Sequence, residues 1–289
     1  MNRPSERAAQ LVFFLCALAA VALLLLLTAF FVFSGLPAIQ EIGARDFFLG
    51  RVWDSANREH PQYGILPLLL ASIYGAAGAM VLGVPLGLLT ALFLAKAAPK
   101  WLASVIRYFV RLLAGVPSVV CGLVGMTVLV PFLRERLHLP AGDSLLAAVL
   151  VLAVMILPPV VELSEDAFAA VPGAYEEASF ALGATESETW FRVTLPAAGS
   201  GVMAAAALGT GRAIGEAMAV LMVAGNTANM PSLLKSVRFL TTGIAMELSY
   251  AAAGSLRQRA LFSIALVLFV IIVLINALLY WAGRRGKGG

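Results

Sequence analysis

A series of long apolar runs constrains this chain more than any other feature, and residues 11–33 are the clearest, with no charged side chain among them. A run beyond ~18 residues can cross a bilayer. In hydrocarbon every backbone N–H and C=O must be paired within the segment, which a helix does. Composition agrees: 289 residues that are 61% hydrophobic and only 12% charged lie outside the range of soluble domains. The reading is an all-α, polytopic membrane protein. Its net charge of +4 does not point to nucleic acid, because Lys and Arg are scattered through loops without a basic stripe of interleaved aromatics. Cys16 and Cys121 sit singly in apolar runs and His60 and His138 alone in loops, so neither a disulfide framework nor a metal site is expected.

Taken in order, Arg3 and Arg7 precede a first span over 11–33, too long for a signal-peptide core and read as uncleaved. Residues 34–62 form a mixed-charge loop that includes Arg58. The second span, 65–95, holds Gly83 and Gly87 four apart, a spacing that lets a neighbouring helix approach closely. Lys96, Lys100, Trp101 and Arg107 then mark a membrane surface. The third span, 110–133, contains Gly115, Pro117 and Ser118, where proline removes a helix hydrogen bond and glycine weakens the turn. That is a candidate gate or hinge, or equally a packed kink. The fourth span, 145–163, is expected to end near Pro158 and Pro159. A fifth, 197–224, carries Arg212 and Glu216; the sixth, 261–281, precedes a basic tail with Arg284, Arg285 and Lys287. Six spans place both termini on one side, and the charges of the two sets of loops are too evenly matched to orient them.

Between the fourth and fifth spans lies a polar island, residues 172–196. It reads as two short helices. Gly183 is placed to end the first in the left-handed conformation, and Thr185 with Glu188 has capping-box spacing at the start of the second. Within the island, Glu177, Ala178 and Ser179, Gly183 six positions after Glu177, and the ending Val193, Thr194, Leu195 and Pro196 resemble the EAA motif of ABC importer permeases. Ser179 stands where the motif has alanine and Val193 where it has isoleucine, both near in size. The resemblance implies a type I ABC importer permease fold with six transmembrane helices. It also implies a cytoplasmic island on which Glu177, Ala178, Gly183, Leu195 and Pro196 couple to an ATP-hydrolysing subunit.

The segment from Gly211 to Val220, with Arg212, Glu216 and the run Met218, Ala219, Val220, is similar to phosphate-specific importer permeases of the PstC type. The run from Gly115 to Val120 looks like that family too, so the resemblance covers most of the chain. It implies an N-terminal span and external loop over 1–64, a permease domain over 65–282 with its coupling loop at 164–196, and a cytoplasmic tail over 283–289. Implied partners are a second phosphate permease of the PstA type, a dimer of ATP-binding subunits, a periplasmic or extracellular phosphate-binding protein, and membrane lipid. The implied location is the bacterial cytoplasmic (inner) membrane, with both termini cytoplasmic. No G-x-x-x-x-G-K-[ST] loop occurs, so no cofactor is expected on this chain, and ATP and Mg are left to the partner ATPase.

The residues carry a reading of their own. On a continuous helix Arg212 and Glu216, four apart, share a face and can pair. Arg212 lies about 18 Å from Ala224 at 1.5 Å per residue, near a bilayer midplane. There a charge costs roughly 2.5–3.5 kcal/mol even on the insertion scale, so the pair is expected to face protein or water. Either it lines the anion path, or it is a salt bridge that pins helices. A permease for another oxyanion, such as molybdate or sulfate, is the nearest alternative function. A secondary transporter would call for an inverted repeat that the sequence lacks.

Overall fold

A computed structural model describes residues 4–57 and 59–285; Arg3, Arg58 and Lys287 lie outside the described residues. Most of the described residues are helical. Helix α1 (Pro4–Ile42) and the short α2 (Ala44–Leu49) lead to a two-stranded antiparallel ribbon, β1 (Trp53–Asp54) and β2 (Gln62–Tyr63), with Trp53 opposite Tyr63. Next come α3 (Leu66–Leu92), widening into a π turn over Phe93–Ala97, and α4 (Lys100–Gly115). Helices α5 (Ser118–Val124) and α6 (Val130–Arg136) are joined by a π turn, and α7 (Leu145–Ala169) follows. The island forms α8 (Gly173–Ala181), α9 (Glu186–Thr189), a π turn over Trp190–Thr194 and α10 (Leu195–Ala197). The rest is α11 (Gly199–Gly215), α12 (Met218–Val223), α13 (Leu240–Glu247) and α14 (Leu256–Arg285).

Five of the described helical stretches are long and apolar enough to cross a membrane singly: Gln10–Ile42, Leu66–Ala97, Ser118–Arg136, Leu145–Ala169 and Leu256–Leu279. A sixth candidate is Glu186–Ala197 taken with α11 (Gly199–Gly215) across a 71° bend, and α12 extends α11. A Cβ on Gly201 would meet Ala167 near the end of α7, while the carbonyl of Val223 accepts the amide of Ser144 at its start. Helices α11 and α12 together therefore follow α7 from one end to the other.

Tertiary packing moved four expected boundaries. The loop expected from residue 34 is helical as far as Ile42, through Pro37, because Gly35 lets α1 lie against α14: Ser263 Oγ donates to the Gly35 carbonyl at 2.6 Å. The third span begins later than residue 110, at Ser118, because the helix breaks between Gly115 and Ser118 and the preceding α4 is a separate helix. Helix α4 runs antiparallel to α7, with Arg107 Nη2 2.6 Å from Glu165. Pro158 and Pro159 do not end the fourth span; α7 continues to Ala169. Helix α11 starts at Gly199, because Pro196 lies in α10, before a 71° bend.

The centre of the bundle is α3 on α7. A Cβ on Gly83 would stand 2.6 Å from Ile156, and one on Gly87 2.7 Å from Val160, so the Gly83 and Gly87 spacing is a close-packing surface as expected. At the start of α7, Leu145 and Leu146 donate to the carbonyls of Lys235 and Leu233, which satisfies amides that a helix N-terminus leaves open. At the same end of the bundle Glu247 is buried and ties four segments together. Its carboxylate accepts from Trp53 Nε1 at 2.9 Å and from Ser55 Oγ, and pairs with Arg238 at 2.8 Å and Arg257 at 3.2 Å.

Two outcomes follow for the assembled protein in detergent. Gly83→Val overpacks the α3 and α7 seam and should cost about 1–3 kcal/mol, read as a lowered thermal midpoint. Glu247→Ala strands Arg238 and Arg257 and should cost about 3 kcal/mol. An unchanged midpoint in either variant contradicts the packing described.

Candidate functional site

The island folds as its local chemistry requires. Gly183 has φ +84°, its amide donates to the Phe180 carbonyl at 2.9 Å, and the Ala184 amide donates to Ser179 at 3.2 Å, the paired bonds of a Schellman ending. Both bonds of the capping box are present, the Glu188 amide to Thr185 Oγ1 at 3.3 Å and the Thr185 amide to Glu188 Oε2 at 3.0 Å. Hydrogen bonds from the Thr185 amide, foremost, and from the Thr185 hydroxyl at 3.0 Å hold the Glu188 carboxyl below the usual carboxylate range. Around Gly183 a Cβ would meet nothing within 4 Å, so backbone conformation and not space demands glycine there.

Helix α8 has two distinct faces. Glu177 and Ala178 are exposed on the outside. On the inside, Ser179 is buried and its hydroxyl lies 2.8 Å from that of buried Thr189, so the residue that departs from the motif joins α8 to α9. Glu176 also turns inward, toward Lys96 and Thr194. Burial opposes its charge, but hydrogen bonds from Lys96 and Thr194 and the charge of Lys96 outweigh it and hold the carboxyl below its ordinary range. Leu195 packs into the apolar cluster around Phe168 and Ala198, while Pro196 is exposed.

Two helix breaks lie side by side. Helix α4 ends at Gly115, Val116 is extended, and Pro117 precedes α5, with Ser118 as its first residue. Helix α11 ends at Gly215, Glu216 is extended at φ −71° and ψ 125°, and α12 starts at Met218. Helices α5 and α12 pack in parallel, since a Cβ on Gly122 would meet Ala219 and one on Gly125 would meet Val223. Ser118 comes four residues before Gly122, and Glu216 three before Ala219, so the breaks open at neighbouring heights.

The break at Glu216 overturns the expected pairing. With the helix ended, Arg212 and Glu216 no longer share a face, and no ion pair joins them among the described residues. Instead Glu216 Oε1 accepts the Ala219 amide at 3.0 Å and starts α12, while its carbonyl accepts Thr241 Oγ1 at 2.9 Å. Arg212 lies three residues past Gly209, which abuts Val160 and Ile156 at the middle of α7. Its side chain is exposed on the surface of this chain. It lines a cavity of about 300 Å³ with Pro159, Gly211 and Asn276. Nothing within 4 Å would meet a Cβ on Gly211 or Gly215. A guanidinium there is costly against acyl chains, so this face is built to meet protein or water. Asn276 escaped the sequence reading, although a single amide in the apolar run of α14 was a visible signal. A second cleft of about 300 Å³, between α4 and α7, gathers Arg107, Arg111, Glu162, Glu165 and Asp166 nearer the island. Both breaks, the Arg212 face and the island are thus strung along one bundle.

Comparison with known proteins agrees with this architecture. Residues 83–287 match the family described as binding-protein-dependent transport system inner membrane component. The probable ABC transporter permease protein YqgH of Bacillus subtilis is 38% identical over 275 residues, covering 94% of this chain and 89% of that protein. The phosphate transport system permease protein PstC of Haemophilus influenzae is 32% identical, covering 94% of this chain and 93% of that one. Among solved structures, the bacterial alginate ABC transporter in complex with its pentasaccharide-bound periplasmic protein has a chain of the same fold, with TM-score 0.67 at 13% identity, covering 97% of this chain and 96% of that one. A chain of the MetNI methionine ABC transporter matches with TM-score 0.58 at 21% identity, over 77% of this chain and 94% of that one. The chain, a multi-pass membrane protein with the type I importer fold, belongs to the binding-protein-dependent transport system inner membrane component family, the permeases of ABC importers.

Proposed function

We propose that this permease carries inorganic phosphate inward as the non-catalytic membrane subunit of an ATP-driven importer. The observation that carries the reading is Arg212, an exposed guanidinium at the height of the middle of α7, on an open, glycine-cleared face just before the helix break at Glu216. A guanidinium offers a planar fork of donors to an oxyanion. Phosphate near neutral pH still has a proton to donate, and sulfate does not, so Glu216 Oε2 favours phosphate as an acceptor and repels sulfate. Similarity to phosphate transport permeases supports the same substrate. Permeases with this fold serve other cargoes, so a different oxyanion, molybdate or sulfate, is the competing reading.

In this account the island is cytoplasmic, and two ATP-binding subunits that hold the ATP and Mg dock on Glu177, Ala178 and the turn at Gly183. A second permease of the PstA type covers the Arg212 face, and a phosphate-binding protein delivers the anion at the end where Glu247 gathers the loops. Closure of the ATPases moves the island, and the movement passes through α10 and the bend into α11, which carries Arg212. Hydrolysis returns the path inward. The breaks at Pro117 and Glu216 are where the neighbouring segments can bend.

Two results test the reading in vesicles containing the complete complex. Glu216→Gln keeps an oxygen to accept the Ala219 amide but removes the charge, so it should lower phosphate uptake by about tenfold and admit sulfate. Unchanged rate and selectivity would sink the role of Glu216. Gly183→Leu meets open space within this chain, yet strains a left-handed backbone by roughly 1 kcal/mol. It should leave the permease folded and remove co-purification with the ATPase; normal co-purification contradicts docking at the turn.

A further inference from the structure

We propose that the two adjacent glutamates of α8 divide the work of coupling, with Glu177 facing the docked subunit and Glu176 acting as the joint that passes displacement of α8 into α3 and α11. The proposal rests on the reading of residues 172–196 as the docking surface for an ATP-binding subunit, and it assigns a positioning residue that the motif itself does not contain.

Glu176 Oε1 is shared by two donors from two different crossings. Lys96 Nζ lies 2.6 Å away and belongs to the π turn Phe93–Ala97 that ends α3. Thr194 Oγ1 lies 2.8 Å away and closes the π turn Trp190–Thr194, at the foot of α10 and α11. The contact is sheltered: the side chains of Lys96 and Glu176 are each 19% exposed, and Thr194 is fully buried. Charge-assisted hydrogen bonds of this kind are about twice as strong as neutral ones. One helical turn further, Ser179 fixes the same face of α8 to Thr189, so the helix is held at two points. Glu177 points the other way, exposed and without a hydrogen bond or ion pair among the described residues.

The alternative mechanical route is the chain itself, which passes through the Gly183 turn, α9 and a 71° bend before it reaches α11. The Glu176 joint bypasses the turn and α9. It also enlists α3, which the chain route does not touch and which packs along most of α7. Each π turn carries one more residue than an α turn, a local departure frequent at functional sites, and both donors come from such turns.

The test uses the complete complex in vesicles, with phosphate uptake and ATP hydrolysis measured together. The wild-type complex sets the baseline; if it shows no ATP-driven uptake of any oxyanion, the functional reading fails and not the joint alone. Glu176→Ala should co-purify with the ATP-binding subunit as wild type does, hydrolyse ATP, and import roughly tenfold less phosphate per ATP, a loss typical of a broken coupling. The exchanged pair Lys96→Glu with Glu176→Lys should recover at least about half of the wild-type ratio. Glu177→Ala should instead reduce co-purification. An unchanged ratio in Glu176→Ala, loss of co-purification in that variant, or failure of the exchanged pair to recover the ratio overturns the proposal.

Discussion

Backbone groups left unpaired in hydrocarbon cost several kcal/mol each, and this constraint shapes every irregular feature of the molecule. The break at Glu216 is tolerated because its own carboxylate takes the Ala219 amide and Thr241 covers its carbonyl. At the other break the carbonyl of Pro117 accepts the amides of Val120 and Cys121. The open segments are then packed against each other through Gly122 and Gly125. Non-helical backbone here lies in a seam that protein covers on one side and that opens, at Gly211 and Gly215, on the other.

The same economy links the two ends of the bundle. Helix α13 touches the break through Thr241 and ends at Glu247, which gathers the ribbon, the loop before α13 and the start of α14. The island touches the opposite ends of α3 and α11 through Glu176. Surfaces at both ends are thereby attached to the crossings by buried or half-buried polar bonds. Arg212 lies between them, exposed at the height of the middle of α7.

Local chemistry was legible in the sequence, and long-range chemistry was not. The left-handed Gly183, the capping box of Thr185 and Glu188, and the packing glycines 83 and 87 were readable because each depends on residues a few positions apart or on a helix repeat. Pro158 and Pro159 misled as terminators, since packing of α3 and α11 on α7 overrides the hydrogen bonds lost. The helix break at Glu216 has no proline to announce it, and the contact that stabilises its carbonyl comes from Thr241 in another element. That hidden break is why Arg212 and Glu216, read as a pair, are separate groups. Glu247 and Glu176 went unnoticed because their partners, such as Trp53 and Lys96, are far off in sequence.

The central claim is that this chain moves an oxyanion, phosphate, only as part of an ATP-driven assembly. It is tested most directly by uptake of labelled phosphate into vesicles holding this permease, its partner permease and the ATP-binding subunits, with the binding protein and ATP supplied separately or together. The account predicts uptake only when both are present, with sulfate and molybdate failing to replace phosphate. Uptake by the isolated chain without nucleotide, or uptake of another oxyanion in place of phosphate, would contradict it.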